Sequence, residues 1–339
     1  MNTQGIGRVG MSNLPEYKTF AKNIQRKRQT NLDCPPIPRE WKDVSIPDSF
    51  TKTHSGEHWV ILDEPIEADN PYSPKVLGFC SHTGLELLNN SSKWFADGTF
   101  EICNSTLFSQ LWLLIVLTET GASVPAAYFL LPNKEASTYK MCLKSLSDRG
   151  VVGPDVFNMD FEYGEHKATN DIYPNASING CDAHFKRAIR KNVQRFKLLE
   201  FLNTDIEFQT FNRYLWALSL VPIEDIIFLW ENFVEPSCPY RDEDNDQNDF
   251  LNLKLKQFLE YFEFTWIGTL NKRTGLRRSP KLAFNTWSKY QTVLANLDTT
   301  NNRCEGLNNQ LKQSLPKAAN VWKVINLLKS EESLVQNKL

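Results

Sequence analysis

No stretch of this sequence approaches the ~20 consecutive apolar residues that a bilayer-crossing helix requires, which sets a membrane protein aside. No apolar leader opens the chain, and none of its seven cysteines stands in a Cys-x-x-Cys pair. That usage fits reduced thiols inside a cell, in nucleus or cytoplasm, better than a secreted disulfide framework. Neither Gly-x-x-x-x-Gly-Lys-Ser/Thr nor Gly-x-Gly-x-x-Gly occurs, so a nucleotide-driven motor or a nucleotide cofactor is not expected. Charge of one sign is missing as well: 38 Lys and Arg stand against 40 Asp and Glu, for a formal net charge of −2. A nucleic-acid surface would therefore have to come from local clustering. What the chain does have is 339 residues, 41% of them hydrophobic and 23% charged, enough for one large or two ordinary globular domains.

The most informative stretch is Lys93-Trp-Phe-Ala-Asp97-Gly98-Thr-Phe100, followed by an apolar, β-branched run at 107–117 that reads as a strand buried on both faces. A carboxylate set into such surroundings is costly without a cation or partner, and Gly98 beside it leaves backbone room for a close approach. Asp97 is accordingly a candidate metal ligand. Asp160 repeats the pattern, closing the apolar stretch that contains Val156 and Phe157. Glu305 lies far along the chain in an amphipathic segment. Two strand-borne aspartates and one helix-borne glutamate form the kind of set that binds two divalent cations, about 3.5–4 Å apart, for phosphodiester chemistry. Glu162, two residues past Asp160, is either a supporting ligand or a solvent-facing acid. Asn308, one turn from Glu305, is placed to orient it, and Asn301 or Asn302 to cap that helix.

Five motifs in order, Asp97-Gly-Thr-Phe100, Pro154-x-Val156-x-x-x-Asp160-Phe-Glu162, Cys181-Asp-Ala-His184, the stretch YFEFTWIG at 261–268 and TNNRCEGLNNQLK at 300–312, together resemble the Mutator-like element (MULE) transposase domain. The resemblance spans roughly residues 14–314. It implies an α/β fold, a ribonuclease-H-like mixed sheet flanked by helices and interrupted by an all-α insertion before the last catalytic helix. It also implies an Asp-Asp-Glu triad at Asp97, Asp160 and Glu305 holding Mg²⁺, with Mn²⁺ able to substitute. The expected partner is DNA, as transposon ends and target, with a homodimer left open. The expected chemistry is hydrolysis followed by strand transfer; a derivative that keeps the fold and binds DNA or protein without catalysis is the alternative. The acids, crowded together, are expected to stay strained and loosely ordered until metal arrives.

Cys181 and His184 make half of a zinc site with no second pair at ligand spacing. Support of the active site and a Cys-His nucleophilic dyad are the two functional readings, the dyad lacking a visible orienting group. The segment that follows is a basic helix, expected from His184, in which Lys186, Arg187, Arg190 and Lys191 recur at helical spacing. Phosphate contact and an ordinary exposed face both account for it. A second basic group, including Arg277 and Arg278, falls in a loop with Gly275 and Pro280. Four segments are expected: a loop-rich, polar 1–55; the first part of the core, 56–197; a helical insertion, 198–284; and a return to the core at 285–339. Within the first, residues 18–28 read as a short basic helix. Cys34 has no partner at zinc-ligand spacing, so no finger module is visible there.

Overall fold

The computed structural model describes residues 35–100, 107–118, 120–239, 249–295, 302–315 and 319–336. The basic segment 18–28, Cys34, Asn301 and the acidic stretch 241–248 lie outside the described residues. Alternating or continuous runs of apolar residues form β1 (Val60–Pro65), β2 (Lys75–Phe79), β3 (Lys93–Phe100), β4 (Gln110–Leu117), β5 (Ser123–Leu131), β6 (Val156–Met159) and β7 (Ser177–Gly180). They hydrogen-bond into one open sheet in the order β1-β2-β5-β4-β3-β6-β7. Pairing is antiparallel from β1 to β3 across that order and parallel for β3–β6 and β6–β7. Pro125 inside β5 has no N–H for the ladder, and the pairing slips there, with Ile115 opposite Pro125 and Leu114 opposite Ala127.

The two faces of the sheet are buried by different helices. On the first, α1 (His82–Asn90), α2 (Ala136–Ser147) and α3 (Tyr163–Ile172) bring Leu88, Tyr139, Leu143 and Ala168 against Trp94, Ala96, Trp112 and Phe157. Between the sheet's last strand and its return lies a group of helices with its own core. It comprises α4 (Asp182–Arg195), α5 (Leu199–Thr204), α6 (Ile206–Ala217), α7 (Ile226–Leu229), α8 (Asp249–Phe262), α9 (Phe284–Trp287) and α10 (Tyr290–Leu294). Phe185, Phe211, Trp230, Phe258, Trp266 and Trp287 fill it. Finally α11 (Asn302–Ser314) and α12 (Val321–Gln336) cover the second face, laying Leu311, Trp322, Ile325 and Leu328 on Phe95, Leu113 and Tyr128.

Several local readings are corrected. The basic helix starts at Asp182 rather than His184, because Cys181 takes the extended N-cap position. It ends at a Schellman turn: Lys197 N–H donates to Gln194 O (3.0 Å) and Leu198 N–H to Val193 O (2.9 Å). That turn requires a left-handed residue, and Lys197 fills the place with φ 61° where glycine is usual. Pro222 stands one residue before the short 3-10 turn Ile223–Asp225. Two single π turns, Trp230–Val234 and Glu263–Ile267, extend α7 and α8.

Candidate active site

The site follows from one pairing register. β3 and β6 run parallel with Lys93 beside Val156, Trp94 beside Phe157 and Phe95 beside Asn158. Carried two residues further, the same register sets Asp97 level with Asp160, and the two-residue period puts both on the face of Phe95 and Asn158. Neighbouring strands lie about 4.8 Å apart, so the register brings two positions 63 residues apart in sequence to one level of adjacent chain segments. β7 extends the row: Gly180 pairs with Met159, and Cys181 donates its N–H to Met159 O at 3.1 Å. Cys181 therefore falls level with Asp160. Asp160 and Cys181 directly follow the carboxyl ends of β6 and β7, where open α/β sheets commonly form a crevice, while Asp97 lies within β3, which runs on to Phe100.

Asp160 is held from two sides. His184, in the first turn of α4, brings Nδ1 to 2.8 Å from Asp160 Oδ1. The His166 ring meets Asp160 main-chain oxygen at 2.6 Å. Burial pushes His166 below its ordinary value, more than the neighbouring oxygens raise it. For His184, burial also resists charging, but the hydrogen bonds to Asp160 and Cys181 outweigh it and push the ring up to about 10. Arg187 opposes that charge, since its Nη1 lies 2.8 Å from His184 Nε2 and needs an acceptor there. Accepting from Arg187 requires an unprotonated Nε2, which leaves the proton on Nδ1, the ring nitrogen that faces Asp160 Oδ1. The orienting group that the Cys181–His184 pair lacked in the sequence is thus Asp160 itself.

Glu162 is half-buried and bonded. Its Oε1 accepts from Tyr139 Oη (3.0 Å) and its Oε2 from Lys134 Nζ (2.7 Å), while Tyr139 Oη accepts from Gln110 Nε2 (2.7 Å). The room at Gly98 is used by the protein's own Gln110, whose Oε1 lies 2.8 Å from where a Cβ would be. A carboxyl that the sequence did not single out completes the surroundings. Glu165, buried on α3, accepts from Trp112 Nε1 at 2.9 Å. Burial holds its carboxyl well above the usual range; Asp160, Glu162 and Asp97 push the same way, and the Trp112 bond only partly offsets them. An acid in a first helical turn is an ordinary partner of the helix dipole, and Glu165 occupies such a place. Its only sequence signal is its place five residues past a candidate ligand, Asp160.

That field bears on the implied metal. The donors present are hard carboxylate oxygens, and three of them jointly disfavour negative charge on a fourth, an environment that a divalent cation would relieve. Among the described residues no group of three or more His, Cys, Asp or Glu is arranged to hold a metal ion. The backbone of Glu305 lies near the start of α11, the helix packed against β3, but the Glu305 and Asn308 side chains lie outside the described residues.

Beside Asp160 opens a cleft of about 730 Å³, with Asp160, Glu162 and His184 in its lining and Lys134, Lys167, Arg187 and Lys191 around them. Asp97 is not part of that lining. Of the basic helix, Arg187 and Lys191 face the cleft one turn apart, Lys186 is paired with Asp182 at 2.7 Å, and Arg190 is exposed away from the cleft lining. The second basic group divides. Arg277 is turned inward, its guanidinium bound by Glu231 and Glu263 (2.5 Å each) and by Gly268 O, whereas Arg278 is exposed. Arg277 is therefore a clamp within the helical group, not a residue presented to DNA.

Residues 93–188 match the MULE transposase domain model, so a MULE transposase domain is present over that stretch. It runs from the first residue of β3 into α4 and takes in Asp97, Asp160, Glu162, Cys181 and His184; Glu305 lies beyond it. No curated protein matches the chain. No described helix is long and apolar enough to cross a membrane.

Proposed function

We propose that this chain is a metal-dependent, DDE-type DNA transposase domain that cuts and joins phosphodiesters at transposon ends. The observation that carries the reading is the parallel β3–β6 register, which pairs Phe95 with Asn158 and, continued two residues, sets Asp97 level with Asp160. The strand order β5-β4-β3-β6-β7, three antiparallel strands followed by two parallel ones, supports a ribonuclease-H-like core, with β1 and β2 added at its edge. The core would comprise 56–197 and 285–339, with the helices of 198–284 inserted and 1–55 ahead of it. Asp97, Asp160 and Glu305 would hold Mg²⁺ or Mn²⁺, which supplies an acidified water and neutralises charge on the phosphoryl oxygens. The chain's own residues do the rest. His184 and His166 fix Asp160; Lys134, Lys167, Arg187 and Lys191 draw the DNA backbone over it; Arg190 and Arg278 add to the outer field. Transposon-end and target DNA are the partners in this reading, with nucleus or cytoplasm as its place.

The test is cleavage of end-containing duplex DNA with Mg²⁺ or Mn²⁺. Asp97→Asn and Asp160→Asn should each lower the rate by more than about a hundredfold, beyond the 10–100-fold typical of supporting residues. Either metal should raise the melting temperature of the wild type and not of Asp97→Asn. Equal cleavage by wild type and both variants defeats the assignment. One observation favours the non-catalytic alternative: His184 Nδ1 stands 2.8 Å from Asp160 Oδ1, so the fold itself places a basic side chain against this carboxylate. A chain that binds DNA and shows no metal-dependent shift or cleavage would be that derivative.

A further inference from the structure

On the other side of α3 lies a second cleft, of about 520 Å³, between α3, β7 and the segment that leads into α9. Its size falls in the range that encloses one small ligand. Its character differs from the first. Amides of Asn170 and Asn285 and the hydroxyl of Thr286 offer paired donors and acceptors, and Lys167 and Lys281 supply positive charge. Asp171 also lines it, with its carboxylate held by Lys140 at 3.2 Å. Hydrogen-bonding edges beside cations are what a nucleotide requires: base edges for the amides and a phosphate for the lysines.

Two features join this cleft to the first. Tyr163 and Lys167, one helical turn apart, line both clefts and form the ridge between them. Tyr163 is 63% exposed, a large aromatic ring open to solvent one helical turn from Lys167. His166, which holds the Asp160 carbonyl, also lines the second cleft, so an occupant there would touch a side chain that positions Asp160.

We propose that the second cleft is a nucleotide subsite, in which a DNA strand whose backbone crosses Asp160 turns one base out over Tyr163 and seats it among Asn170, Asn285 and Thr286. The inference rests on the reading that the first cleft takes DNA. Tyr163 stacks on the turned-out base, Lys167 and Lys281 hold the phosphates on either side, and the amides read the base edge.

The experiment uses the full chain without metal and short single-stranded DNA carrying 2-aminopurine at one position, scanned along the strand. Wild type should quench the probe at one position. Tyr163→Ala should abolish the quench and weaken binding about tenfold, and Tyr163→Trp should restore both. Lys281→Glu should weaken binding, whereas Lys272→Glu on the outer loop should not. Wild-type binding with Tyr163→Ala and Lys281→Glu unchanged overturns the subsite while leaving the first cleft intact. A wild type that neither binds nor cuts DNA defeats the transposase reading, and the subsite with it. Loss of quench in Tyr163→Ala that Tyr163→Trp does not restore also overturns the stacking role.

Discussion

The sheet and the helical group bury their side chains in opposite ways. Along β4, Gln110 through Val116 are all buried, because helices cover both faces and every residue points at one of them. The helical group has an equally aromatic interior, yet Ile206, Phe228, Phe233, Phe264 and Leu276 are each more than half exposed. A helix needs only one stripe inside, and its outer surface is under no such demand. In the sheet, Asn158 and Gln110 are buried polar residues held by hydrogen bonds, and Glu165 on α3 is tied to the sheet through Trp112. The helical group depends instead on apolar stripes and one ionic clamp.

The strongest way to break that contrast is a pair of truncations. Trp112→Ala removes a ring packed on Phe129 and Tyr139 and leaves Glu165 without its donor. It should cost about 3–5 kcal/mol by denaturant unfolding. Phe228→Ala should change stability by less than about 0.5 kcal/mol, and equal losses would erase the distinction. Arg277→Ala tests the clamp: losing its bonds to Glu231 and Glu263 should cost about 1.5–3 kcal/mol. The effect should be on stability, with binding to the cleft unchanged.

A pH series sharpens the comparison where the two regions meet. Lys289, fully buried, donates to Gly180 O and Asn179 Oδ1, and Asn179 in turn donates to Asn158 at 2.6 Å. Burial pulls Lys289 down to about 8, against the partial support of Cys181 and Asp182. Below that pH both folded and unfolded chains are protonated and the burial penalty is fully present. Between about 8 and 10.4 the unfolded chain keeps the proton longer, so the lysine's contribution to stability should rise with pH there. The difference between wild type and Lys289→Met should show that slope. The smallest effect is expected at the end of α4, where Lys197→Gly relieves a left-handed backbone at some entropic cost, for a net gain of about 0.5 kcal/mol.

Strands were legible because their apolar runs are long and their helices amphipathic; Asp97 and Asp160 stood out as acids at the ends of such runs. What the sequence withheld depends on distance. Nothing near Arg277 shows that its acids lie 14 and 46 residues upstream, so a clamp reads as one more surface cation. Glu165 meets a tryptophan 53 residues away, and Lys289 an asparagine 110 away. The tie from Asp160 to His184 spans only 24 positions, yet it needs β6 and β7 to be neighbours. Partners of this kind become visible only once the sheet order is known.

The β3–β6 register is locked by Trp94, Phe157 and Met159, all in the core, and neither aspartate contributes to that core. The spacing of the two acids is thus inherited from greasy neighbours that take no part in chemistry. Exchanging either aspartate for asparagine should leave that shape unchanged, so fold and carboxylates can vary independently of one another.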